Sequence, residues 1–136
     1  MTRTLAVLIG LVVARCAGAA GAAVWTCDQR TEIFTGQAYL VTARCTAAGN
    51  YSSGGDAPPN PGMDLCNSSA RHPTAVFVTS AVNLGAGQAY VAVFDLAGGK
   101  FVLATSGASP GPGSPLIQLA PGPIDGAVLR TLSVCQ

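Results

Sequence analysis

Six carboxylates, one imidazole and five thiols are the groups in this chain that can do chemistry, and their spacing decides which kind. The acids are Asp28, Glu32, Asp56, Asp64, Asp95 and Asp125. Glycoside hydrolysis needs two carboxylates about 5 to 10 Å apart across a cleft. Six scattered acids carry no specific signal of such a pair. Asp56 before Pro58-Pro59, Asp95 at a hairpin shoulder and Asp125 before Gly126 read as turn residues. His72, in Ala70-Arg71-His72-Pro73, would need an orienting acid and a nucleophile to act as a general base. No Gly-x-Ser-x-Gly elbow supplies the serine, and a histidine beside proline in a polar loop reads as an exposed turn residue. Asp56, Asn60 and Asp64 are the nearest approach to a calcium loop, which wants its acids clustered, and the prolines between them suit a loop better. Gly54-Gly55 lacks the lysine and following helix of a phosphate loop; the nearest lysine is Lys100. The reading is therefore of a chain without catalytic, cofactor-binding or metal residues. It implies no cofactor and no small-molecule substrate.

The cysteines point elsewhere. They are Cys16, Cys27, Cys45, Cys66 and Cys135, and no pair has the Cys-x-x-Cys spacing of a zinc or thioredoxin-like site. Arg3, the apolar run Leu5 to Ala14 and the small residues Ala17 to Ala23 have the order of a secretory signal peptide. Arg15 interrupts that profile, and an N-terminal apolar strand or arm over 1–23 is the alternative. If 1–23 is removed, Cys27, Cys45, Cys66 and Cys135 remain as possible disulfides with three pairings open. Asn50-Tyr51-Ser52 and Asn67-Ser68-Ser69 match the N-glycosylation acceptor, a short motif that matters only in a compartment that glycosylates.

The elements that would position any site are short and apolar. Of 136 residues, 49% are hydrophobic and 10% charged, with a formal charge of +1, so neither disorder nor nucleic-acid binding fits. Seventeen glycines and nine prolines break the chain into pieces, and no sustained helical stripe appears. Residues 38–46 alternate: Tyr39, Val41, Ala43 and Cys45 share one face, and Leu40, Thr42 and Arg44 the other. Thr31 to Thr35, Ala75 to Thr79, Leu116 to Ala120 and Ala127 to Cys135 are further strands. Gln88 to Asp95 and Lys100 to Thr105 form a hairpin whose loop draws positive φ from Gly98 or Gly99. Gly107 to Pro115 is a Gly/Pro-rich loop. The expectation is all-β: a single antiparallel β-sandwich or jelly roll over 24–136, with long Gly/Pro-rich loops.

Tyr51-Ser52-Ser53-Gly54-Gly55-Asp56 reads as a strand-exit turn, and it carries a resemblance. It is similar to the Tyr-x-Thr-Gly-Gly-Asp segment of small structural proteins of tailed-bacteriophage heads. There the segment precedes a hairpin with an aromatic residue, a turn and a lysine, as in Ala89 to Asp95, Gly98-Gly99 and Lys100 to Val102. The likeness covers about residues 37 to 107. Ser53, the prolines after Asp56 and the cysteines depart from the pattern. The resemblance implies a non-enzymatic head decoration (cement) protein on the outer capsid surface of a virion, bound to the major capsid protein and to copies of itself as a trimer. The alternative is a secreted, disulfide-stabilised β-sandwich that binds carbohydrate or protein.

Overall fold

Alternating apolar residues between turn signals become strands throughout. The computed structural model describes residues 22–106 and 116–136. Of the arm-or-signal reading over residues 1–23, residues 1–21 with Cys16 lie outside the described residues, as does the Gly/Pro-rich stretch 107–115; Ala22 bridges Asn50 and Ala23 is buried in the core. The strands are β1 (Val24–Phe34), β2 (Tyr39–Ala48), β3 (Asn50–Tyr51), β4 (Pro73–Asn83), β5 (Gln88–Ala89), β6 (Val91–Asp95), β7 (Lys100–Ser106), β8 (Leu116–Gln118), β9 (Gly122–Pro123) and β10 (Val128–Cys135). One short helix, α1 (Pro61–Cys66), lies between β3 and β4.

The strands pair antiparallel in a five-stranded sheet ordered β1-β2-β10-β4-β5, a three-stranded sheet β6-β7-β8 and a two-stranded pair β3-β9. The fold is all-β and sandwich-like. Among the described residues only one face of the large sheet is covered, by two different pieces. Over one half lies the small sheet. Trp25 from β1 meets Phe101 from β7 with ring centroids 5.2 Å apart, and Phe94 from β6 meets Phe101 at 5.0 Å. Tyr51, Leu103, Ile124 and Leu129 complete this core and are almost wholly buried. Aromatic pairs at such separations add to the burial itself, by about 0.5–1.5 kcal/mol.

Over the other half lies α1. Asn60 caps it, its side chain accepting the Met63 N–H at 3.2 Å, while the Asp64 carboxylate accepts the Asn60 N–H at 2.9 Å. Pro61 sits at the first helical position, where its missing N–H has no consequence, and Asn67 closes the helix in the left-handed region at φ 53°. Leu65 and Cys66 face inward. The helix is a feature that the all-strand expectation lacked: one turn and a half is too short to show a periodic stripe, and only its cap residues announce it.

Two disulfides pin this arrangement. Cys27 and Cys45 stand opposite each other on β1 and β2 and are joined. Cys66 and Cys135 tie the end of α1 to the end of β10. The first closes a short loop inside one hairpin; the second spans 69 residues and holds the helix on the sheet. Arg30 supports the same contact by donating to the Cys27 and Asp64 carbonyls and pairing with the Asp64 carboxylate at 3.4 Å.

The strand expected over Gln88 to Asp95 is divided. Gln88 and Ala89 pair with Asn83 and Val82 in the large sheet, and Val91 to Asp95 pair with Ala104 to Lys100 in the small one. Buried Tyr90 marks the crossing, donating its N–H to the Ala81 carbonyl at 2.9 Å. A single run of alternating residues cannot show that its two halves belong to different layers. In the hairpin loop it is Gly99 that takes positive φ, at 64°. Gly98 does a different job, lying where a Cβ would be 2.5 Å from the Asp95 carboxylate.

Loop-closure entropy gives about 3 kcal/mol for an 18-residue loop and about 4 kcal/mol for one of 69 residues. Replacing Cys66 and Cys135 together by alanine should therefore destabilise more than replacing Cys27 and Cys45, as read from guanidinium unfolding midpoints. It should also be the pair whose loss exposes Val41 and Tyr39 to hydrogen exchange.

Candidate functional site

The residues singled out for chemistry are dispersed, each on a structural task. Tyr51 is buried and reaches across to β7: its hydroxyl accepts the Leu103 N–H at 3.0 Å and a Gln118 side-chain N–H at 3.3 Å. Asp56 is buried as well. Its carboxylate accepts the Ser52 N–H at 2.9 Å, and its backbone exchanges hydrogen bonds with Phe101. Gly54 and Gly55 have φ of 89° and 92°, and a Cβ on Gly55 would lie 2.5 Å from the Phe101 carbonyl oxygen. The stretch 51–56 is thus a corner folded down onto β7. Asp64 and Asn60 cap α1, away from Asp56. Glu32 pairs with Arg71 at 2.7 Å, and the same guanidinium lies over the Tyr39 ring, 3.3 Å from its centroid. His72 is exposed, with only its backbone engaged, to Gln136. Asp125 accepts the Gly49 N–H at 2.6 Å, and Asp95 the Ala97 N–H at 3.1 Å. Among the described residues no three His, Cys, Asp or Glu side chains gather as a metal site would require.

What does gather lies on the uncovered face of the large sheet. Register places four outward-facing rows side by side across β1, β2, β10 and β4. One row is Ile33, Leu40, Val134 and Ala75. The next is Thr31, Thr42, Leu132 and Phe77. The third is Asp28, Arg44, Arg130 and Ser80. The fourth, Thr26, Thr46, Val128 and Val82, is again uncharged. Arg44 and Arg130 are direct cross-strand neighbours, so two guanidinium groups rise next to each other from adjacent strands. Among the described residues neither has a hydrogen-bond or ion-pair partner. Asp28 faces Arg44 in the register without reaching ion-pair contact. Like charges directly opposite on a sheet are destabilising.

The strands on both sides are irregular at this row. β1 breaks register between Asp28 and Thr31, with Gln29 in the left-handed region at φ 49°. β4 breaks register against Arg130 and Thr131, leaving Thr79 as an extra residue whose hydroxyl donates to the Arg130 carbonyl at 3.2 Å. Bulges re-aim side chains and locally end pairing. Here the two of them bring Gln29 and Thr79 to the ends of a groove of about 360 Å³, whose floor is Thr42 and Leu132 and whose cations are Arg44 and Arg130. A second hollow, of about 310 Å³, lies between Asn50, Tyr51, Ser52 and Pro121 and has no charged side chain among the described residues.

The placement of Arg44 with Leu40 and Thr42 on one face is visible in the alternation of β2. Its pairing with Arg130 is not, because that depends on β10 inserting between β2 and β4. Nor do residues 28–31 carry a bulge signal: Gln29 is neither glycine nor asparagine. Comparison of the chain with protein-family models, with curated proteins and with solved structures finds no match.

Two outcomes test these assignments. Gly55→Ala should destabilise far more than Gly54→Ala, since Gly54 has open space around it and adds only the strain of its φ, about 1–2 kcal/mol. Tyr51→Phe should lose about 1–3 kcal/mol by leaving the buried Leu103 N–H unpaired. At the arginine pair the sign reverses. Arg130→Gln should raise stability by about 0.2–1 kcal/mol at low ionic strength, and the gain should shrink as salt screens the repulsion. Denaturant titrations at two salt concentrations measure it.

Proposed function

We propose that this chain is a non-enzymatic protein-binding module that works outside the reducing cytoplasm and docks its ligand on the open face of the five-stranded sheet. The observation that carries this reading is the character of that face. Phe77 and Ile33 stand 56% and 61% exposed there, beside the half-buried Leu40, Leu132 and Val134. The face carries two arginines, an aromatic and aliphatic side chains beside four threonines, Ser80 and Asp28, with no lysine or glutamate; arginine and aromatic residues are enriched at protein interfaces, and lysine and glutamate depleted. A sheet face built only to meet water would alternate toward polar residues instead.

The two disulfides support the location. Such bonds persist in exported proteins and on cell or virion surfaces and are rare in a reducing cytosol. They are consistent with the leader-like order of residues 1–23. The head-decoration reading implied by the resemblance uses the same physics, with a capsid lattice as the partner. What supports it is the order of the 51–56 corner, the β6-β7 hairpin and Lys100.

Fractionation of the native source separates the two. The binding-module reading expects the protein in the extracellular or envelope fraction, four hydrogens lighter than its reduced form. Recovery with density-purified phage particles would instead assign it to the virion, and a fully reduced cytosolic protein would overturn both. Once a partner is purified, Phe77→Ser should weaken its binding by about tenfold or more, as expected of an exposed aromatic anchor. Val93→Ser on the opposite sheet should leave binding unchanged.

A further inference from the structure

We infer that the Arg44–Arg130 groove is a carboxylate receptor, and that the ligand it takes is an acidic segment of a partner protein lying across β2 and β10. The inference rests on the protein-binding reading above and adds the chemistry of what is bound.

Three observations converge. The first is charge without compensation. Two guanidinium groups sit on directly opposed positions of adjacent strands, and neither is paired among the described residues. Such a pair costs stability in the free protein, and an anion between the forks would offset that cost. The second is shape. Bulges on β1 and β4, on either side of the pair, both fall at this row and deliver Gln29 and Thr79 to the groove ends. The bulge on β1 holds Gln29 at positive φ, a conformation that non-glycine residues adopt at some cost. The third is donor chemistry. A guanidinium presents paired N–H donors in a plane that matches both oxygens of a carboxylate. Thr42 and Gln29 can serve as further donors.

The surroundings select a peptide over a bare anion or a sugar acid. Leu132 forms part of the groove floor and pairs in register with exposed Phe77. The row beyond, Ile33, Leu40 and Val134, is wholly apolar. In an extended segment residues i, i+2 and i+4 share a face, so acidic residues at i and i+2 with an aliphatic residue at i+4 would place carboxylates at the arginines and a methyl group on these rows.

The test titrates the oxidised, isotope-labelled protein with the blocked hexapeptide Glu-Ser-Glu-Ser-Leu-Ser, whose glutamates and leucine share one face when extended. The controls are its glutamine counterpart and an oligogalacturonate of similar charge. The expected result is movement of the Arg44 and Arg130 side-chain Nε–H resonances with the glutamate peptide. Affinity should fall with added salt, and by about tenfold or more in Arg44→Gln/Arg130→Gln. Arg44→Lys/Arg130→Lys keeps the charge but not the fork and should bind in between; it also serves if the glutamine variant does not fold. Equal binding of the glutamine peptide, undiminished binding by the lysine or glutamine variants, or no movement of the arginine resonances would each overturn the proposal. Binding of oligogalacturonate at the pair, with none of the peptide, would overturn it in favour of an acidic glycan. Because the protein is purified, where it resides in its source has no bearing on this result, and failure here leaves the location untouched.

Discussion

A five-stranded sheet has two faces, and the described residues cover only one of them. The small sheet and α1 together close the inner side, and every other feature follows from how tightly that closure is drawn. Trp25, Phe94 and Phe101 fill the gap on the side of the small sheet. On the helix side the apolar contact is slight, with Leu65, Cys66, Val41 and Tyr39 as its substance. A six-residue helix buries too little to dock by packing alone, since isolated short helices are marginal in water. The Cys66–Cys135 bond and the Arg30 and Arg71 contacts hold it in place.

The outer face is left open by the described residues, and exposed Phe77 and Ile33 stand on it. Uncharged rows of threonine and apolar residues flank a pair of arginines unpaired among the described residues, and both neighbouring strands are bulged where the pair sits. The bulge at Thr79 sets both faces: Val78 and Ala81, three residues apart, both point toward the core because of the extra residue, while Thr79 is left exposed on the outer side. Stability is given up at Gln29 and between the guanidinium groups while the core is left intact. Sites shaped for ligands commonly sit where such local concessions accumulate.

Much of the architecture is legible in the residues. Alternation from Tyr39 to Thr46 gives both the strand and its faces. Gly98-Gly99 between apolar runs gives the hairpin, and Gly54-Gly55 the corner. The first half of β1 was harder: Val24 to Asp28 alternates, but it follows an apolar run with no turn signal to mark its start. The helix was hidden by its length, although Asn60, Pro61 and Asn67 are a cap, a first-turn residue and a left-handed stop. The arginine pair was hidden by topology. Arg44 and Arg130 are far apart in sequence, and only the insertion of β10 beside β2 makes them neighbours. Side-chain chemistry read in sequence order favours motifs, and this site has none.

The central claim is that ligand meets the open face of the large sheet. Methyl NMR of the oxidised protein with saturating glutamate–leucine peptide tests it most directly. The account predicts that the perturbed methyls are those of Ile33, Leu40, Leu132 and Val134. Perturbation confined to Val91, Val93 and Val102 on the small sheet, with those four unchanged, would contradict it.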